Sequence, residues 1–208
     1  TATLSALVGD FARCRRSASE AATIAEGWRD ESIPATHLGL MVSLGMLRGD
    51  AAELPSGWSS LADVITDLQP VLAAVVAAAL TLAGQRDKAT AAFQMLIRNV
   101  DTLAGLNLAA LPPLTEIAPL LGSPDECRAL RAVVSATFGD IPVAGAGTVW
   151  YQGSVARMVG ELDVCCGDYE AAVAHLEEGI AVDTKLGARR YAVCGRLAMA
   201  RACWGTGD

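Results

Sequence analysis

Six cysteines and two histidines are the side chains of this 208-residue sequence best suited to metal or redox chemistry, and their spacing limits what they can do. Cys14, Cys127, Cys165, Cys166, Cys194 and Cys203 include no C-x-x-C pair, the spacing that zinc sites and dithiol motifs use. Cys165 and Cys166 are adjacent and cannot easily bridge each other on a helix. All six therefore read as small core residues whose thiols stay free in a reducing compartment, so a cytoplasmic location is expected. His175 has Glu178 three residues on, with Glu177 and Asp183 nearby. A general acid–base pair needs a pocket that shifts its pKa values, whereas the apolar stripe of this segment points the other way, so these groups read as a solvated charged face. His37 has no acidic or cysteine neighbour at ligand spacing.

The Gly139 to Gly153 stretch interleaves glycines with Ile141-Pro142 and Val149-Trp150-Tyr151. Gly145-Ala146-Gly147 lacks the Gly-Lys-Ser/Thr ending of a phosphate loop and the preceding strand of a dinucleotide fingerprint. The stretch reads as a long loop between repeats. Its sharper reading places Trp150 and Tyr151 at the mouth of a groove, lining a ligand or peptide pocket, because aromatics beside glycines suit adaptable recognition. No Gly-x-Ser-x-Gly, His-Glu-x-x-His or paired-carboxylate motif appears, so no enzyme, cofactor or metal site is expected. A cleft with convergent titratable groups would reopen the enzyme reading. The net charge of −7 and pI near 4.8 argue against direct nucleic-acid binding, which needs clustered Lys and Arg. Arg13, Arg15 and Arg16 read as one solvated helix turn. The most hydrophobic run, Val71 to Gly84, is about half the length that crosses a bilayer, so no membrane partner is expected.

The elements that must hold these residues are helices. Val155, Met158, Val159, Leu162 and Cys165 recur at helical spacing and Gly167 stops the run. Asp168 is placed to cap a second run through Tyr169, Ala172, Val173, Leu176 and Ile180. Two helices joined by so short a turn lie antiparallel, and the pair leaves apolar surface for neighbours of its own kind. Glycine followed within three residues by aspartate begins at Gly9, Gly49, Gly84, Gly122, Gly167 and Gly205, at steps of 40, 35, 38, 45 and 38 residues. Glycine closes one helix in the left-handed conformation and aspartate opens the next.

Between these turns, helices are predicted over Thr1 to Val8, Phe11 to Ala25, Leu38 to near Gly49, Ser56 to Leu68, Pro70 to Gly84, and Lys88 to Asn99 capped by Asp87. Further helices follow over Leu111 to Leu121, Ser123 to Phe138 and Ala188 to Trp204. Trp28 to Ser32 reads as a linker and Val100 to Leu108 as a connection. The turn count predicts an all-α single domain over residues 1–208, a right-handed α-α superhelix of about five to six irregular helical hairpins, cut from a longer protein.

The segment Gly160 to Asp183 resembles a tetratricopeptide unit. Gly160 stands at the small position of the first helix, Gly167-Asp168-Tyr169 matches the turn and opening aromatic, and Ala172 matches the small residue of the second helix. Asp163, Gly179 and Thr184 depart from the pattern. Ala171 to Glu177, Lys185 to Arg189 and Leu197 to Arg201 are similar to the helical-repeat region of large multidomain bacterial regulators. Those regulators join such repeats to an ATPase module and to a LuxR-type DNA-binding or nucleotide-cyclase domain.

The resemblance implies a TPR-like solenoid whose first helices line a concave groove, with Thr36, Ser43, Ala74, Arg157 and Glu161 as groove residues. It implies a non-catalytic protein-interaction and regulatory module of a signalling or transcriptional regulator, whose partner is another domain or protein. The alternative is an effector-sensing domain that takes a small molecule or peptide in the groove.

Overall fold

Alanine-rich runs, good helix formers stopped by glycine or proline, give eleven α-helices among the residues that the computed structural model describes: 2–25, 32–100, 108–139, 141–146 and 150–207. They are α1 (Ala2–Val8), α2 (Phe11–Ala25), α3 (Ser32–Arg48), α4 (Trp58–Ala62), α5 (Pro70–Leu82) and α6 (Arg86–Ile97). There follow α7 (Leu111–Leu121), α8 (Pro124–Phe138), α9 (Val155–Cys166), α10 (Tyr169–Lys185) and α11 (Arg189–Thr206). The all-helical expectation holds, with one two-stranded exception. The linker expected at Trp28 to Ser32 and the connection expected at Val100 to Leu108 fall mostly outside the described residues.

The punctuation works as the turn chemistry predicts at most joints. Gly9, Gly49, Gly84, Gly167 and Gly207 all take positive φ. Gly205 lies inside α11, so the last helix runs on to Gly207. At Gly122 the backbone is extended, and a capping box between Ser123 and Glu126 opens α8 instead.

Three expected caps or elements differ. Asp87 sits inside the first turn of α6, not at its cap, because Gln85 occupies that place. Asp168 makes no capping bond, because its carboxylate is taken by Arg131 at 2.7 Å. The helix expected from Ser56 to Leu68 shrinks to Trp58–Ala62 between two 3-10 turns, Ala51–Glu53 and Ile65–Asp67. Pro55 and left-handed Gly57 delay its start. The β-branched pair Val64-Ile65 and the extended Gln69 before Pro70 end it early.

Consecutive pairs α1–α2, α5–α6, α7–α8 and α9–α10 pack together, and α10 packs on α11. The first helices also touch in sequence: α3 on α5, α5 on α7, α7 on α9, and α9 on α11. α5 is the centre of the core. Residues Ala73 to Leu80 are all buried, so its nearly uniform apolar surface needs α3, α4, α6 and α7 around it.

The last three helices approach closely through glycines. A Cβ on Gly160 would lie 2.6 Å from Leu176 Cγ, one on Gly179 would strike the Arg157 backbone, and one on Gly195 would lie 2.8 Å from Ile180. The small-residue reading of Gly160 is thereby explained. The two ends of the described chain meet: α1 touches α11, and Arg190 of α11 donates a 2.7 Å hydrogen bond to the Leu47 carbonyl of α3.

The stretch expected as a loop between repeats is an antiparallel hairpin, β1 (Val143–Ala146) and β2 (Trp150–Ser154), paired Ala146 to Trp150 and Gly145 to Tyr151. β2 is tied down from one end. The Ser154 N–H and the Tyr151 hydroxyl both donate to the Asp183 carboxylate on α10.

Candidate functional site

Helices α3, α7, α9 and α11 line a half-open recess of about 460 Å3. One stripe of α9 faces it, Arg157, Glu161, Val164 and Cys165, at spacings of one and two helical turns. α11 contributes Tyr191, Cys194, Leu197, Ala198 and Arg201 with the same periodicity. Glu116, Pro119 and Leu120 come from α7, and Met46 and Leu47 from the end of α3. The opposite face of α9, with Met158 and Leu162, is buried in the core, which fixes the orientation of the stripe.

Arg157 is the anchor of the recess. Only 2% of it is exposed. Its Nη1 donates to Glu161 Oε1 at 2.6 Å, its Nη2 donates to the Gln152 carbonyl at 3.2 Å, and its guanidinium lies 5.2 Å from the centre of the Tyr191 ring. Its Nε has no hydrogen-bond partner among the described residues and stands 3.8 Å from Asp183 Oδ2. Burial works against its charge, but Glu161, Glu116 and Asp183 together outweigh burial and hold its pKa above the usual arginine value.

Behind it, Asp183 is fully buried and accepts from Ser154 N, Ser154 Oγ and the Tyr151 hydroxyl. Burial raises its pKa against the pull of those donors and of Arg157. Tyr191 donates to the Tyr151 carbonyl at 3.1 Å, and the two rings meet edge to face with centroids 5.4 Å apart.

Glu116 stands differently. It makes no hydrogen bond or ion pair with another described residue. Burial, and to a smaller degree Glu161, lifts its carboxyl from about 4.5 to about 7, with Arg157 pulling the other way. Burial also raises the thiol of Cys194. The neighbouring Cys127 thiol lowers that of Cys165.

Of the residues expected at a groove, Arg157 and Glu161 line the recess as a pair. Ser43 and Tyr151 line a gap of about 10 Å3 beside it, sharing Leu47 and Tyr191 with the recess wall. That gap is at most the size of one water. Ala74 is a correction: it is fully buried in α5 and has no surface for a partner. Thr36 is exposed on α3 and lines neither cavity. Trp150 pairs with Ala146 in the hairpin.

Other assignments change as well. Asp183 is not part of a solvated face, and His175 pairs through Nδ1 with the fully buried Asp163 at 2.7 Å, not with Glu178. Arg131 holds the other Asp163 oxygen at 2.5 Å, so one carboxylate joins α8, α9 and α10. Arg15 is not merely solvated, because with Arg48 it neutralises the buried Glu53, each at 2.5 Å. Cys14 and Cys127 are buried, whereas the other four thiols are only partly covered.

Sequence reasoning missed Glu116, Tyr191 and Cys194. Glu116 left a signal, as the one charged residue in the mostly apolar helix Leu111–Leu121.

Titratable groups therefore converge in a cleft. Among the described residues, none of its hydroxyls or thiols is hydrogen-bonded to a histidine or carboxylate, the contact that activates a nucleophile. No three His, Cys, Asp or Glu side chains among those residues gather as a metal site, and no helix among them is long and apolar enough to cross a membrane. No protein-family model matches the chain, nor does any curated protein or solved structure.

Proposed function

We propose that the chain is a non-catalytic helical-repeat module that senses an effector, with a small molecule bound in the recess between α3, α7, α9 and α11. The observation that carries this reading is the recess itself. It has the volume of small-molecule sites, mostly apolar walls and a few convergent polar groups, Arg157, Glu161 and Glu116. Its place in a TPR-like arm of a multidomain signalling or transcriptional regulator rests on the sequence resemblance of Gly160 to Asp183 and of the segments after it.

A second reading, docking of a partner protein or domain, is favoured by the outer face of α11. Val193 and Trp204 are exposed there about three turns apart, and Trp204 is 86% exposed.

Thermal-shift screening of small metabolites tests the first reading, with Leu120→Trp as the blocked control. Leu120 is exposed at the recess wall, so a larger side chain there fills the recess without entering the core. A metabolite that stabilises the native chain and not the variant supports effector sensing. A pull-down from soluble extract tests the second, with Trp204→Ser as its control; a protein retained by native chain and lost by the variant, with no stabilising metabolite, favours docking. Charge reversal at Arg157 serves neither test, because the buried guanidinium holds the fold.

A further inference from the structure

We propose that the recess takes a small organic ammonium ion, its cationic head paired with Glu116 and its apolar body against Met46, Leu120, Val164 and Leu197. The inference rests on the recess being a ligand site. Its first support is the charge left over in the lining: Arg157 is matched by Glu161, the other guanidinium there, Arg201, is exposed at the rim, and Glu116 is the carboxyl that remains. The second is occupancy. Arg157 is already engaged by Glu161, the Gln152 carbonyl and the Tyr191 ring, and an anion would have to displace Glu161 from it. Asp183 is filled by Ser154, Tyr151 and Arg157. Glu116 alone of these three carboxyls lacks a protein partner among the described residues.

The groups facing Glu116 are accounted for on every wall. α9 presents Arg157, Glu161 and Cys165; α11 presents Tyr191, Cys194 and Arg201; α3 presents only Met46 and Leu47. Arg201 is exposed at the rim, where water screens its charge. Arg190 turns away, to the Leu47 carbonyl. This partly buried carboxyl holds its proton up to about pH 7 in the empty site, and an ammonium replaces that proton with a full charge pair. Binding of a cation therefore releases a proton and strengthens as Glu116 ionises.

Three indoles of nearly equal shape separate the possibilities: tryptamine as cation, tryptophol as neutral alcohol and indole-3-acetate as anion. Titration calorimetry on the full chain at pH 8 is expected to show tryptamine binding roughly 10-fold tighter than tryptophol, with indole-3-acetate weakest. Its affinity falls about 10-fold between pH 8 and pH 6, as Glu116 takes up its proton near pH 7. In Glu116→Gln, with its fold checked by circular dichroism, both the preference and the pH dependence vanish. If tryptophol or indole-3-acetate binds the native chain as tightly as tryptamine, or if Glu116→Gln keeps the preference, the ammonium assignment is wrong. The recess then still stands as a ligand site provided that Leu120→Trp blocks the binding. If none of the three binds the native chain, the ammonium assignment falls. If the metabolite screen with its Leu120→Trp control is empty as well, the recess reading falls with it.

Discussion

Glu116 and Asp183 are carboxyls raised by the same cause, loss of water, yet they stand in opposite company, and substitution separates them. Asp183 is satisfied on every side. Asp183→Ala leaves the Tyr151 hydroxyl and the Ser154 N–H unmatched inside the protein and takes one of two paired carboxylates from Arg157. Urea unfolding is expected to show a loss of about 3 kcal/mol with an unchanged slope. Glu116 has no such partners, so its ionisation costs stability. Its folded pKa, about 7, lies above the unfolded value near 4.5, so the native state holds the extra proton between those values. Stability is therefore full below about pH 4.5 and is lost as pH rises through about 7. Glu116→Gln is expected to melt above the native chain at pH 8, by about 1–3 kcal/mol in stability, and to match it near pH 4.5. A variant no more stable than the native chain at pH 8 would show that the carboxylate is already well solvated.

At the scale of elements, helix contact replaces side-chain detail. α9, α10 and α11 approach through Gly160, Gly179 and Gly195, and a methyl group at Gly179 meets the backbone of Arg157, which cannot swing aside. Gly179→Ala is expected to cost about 1–3 kcal/mol, seen as a lower thermal midpoint, and to loosen Arg157 within the recess.

The helices and their joints were largely legible in the sequence, because glycine and proline act locally. Gly167 ends α9 whatever lies across from it. What failed was decided from far along the chain. Asp168 reads as a cap until Arg131, on another helix, claims its carboxylate. His175 reads as Glu178's neighbour until Asp163 meets it across the α9–α10 contact. The hairpin was hidden because β2 is anchored from far along the chain, by Asp183 of α10. The site divides the same way. Arg157 and Glu161 are visible as residues one turn apart, whereas Glu116 joins them only when α7 packs on α9.

For the whole molecule the contact between the ends matters most. A linear stack of repeats frays at its terminal helices, since each unit has only one neighbour there. Here α1 leans on α11, and Phe11 at the start of α2 is faced by two arginines, Arg48 at 5.9 Å and Arg190 at 5.5 Å from its ring centre. Hydrogen exchange is expected to show α1 protected well beyond a frayed end. Arg190→Ala, which removes the bond to Leu47 and the ring contact, is expected to speed exchange in α1 about 10-fold while leaving α5 unchanged. Equal exchange in both proteins would show that Arg190 does not carry that protection.

Leu47 belongs to two things at once: its carbonyl fastens the first half of the chain to α11, and its residue forms part of the recess wall. With a ligand in the recess, as proposed, the fastening becomes a latch and the recess its keyhole. Whatever fills the recess and draws α3 towards α11 tightens the latch, and by linkage a slackened latch lowers affinity by the same free energy. A molecule buried among four helices can in this way be felt at α1 and α2, without any contact of its own there.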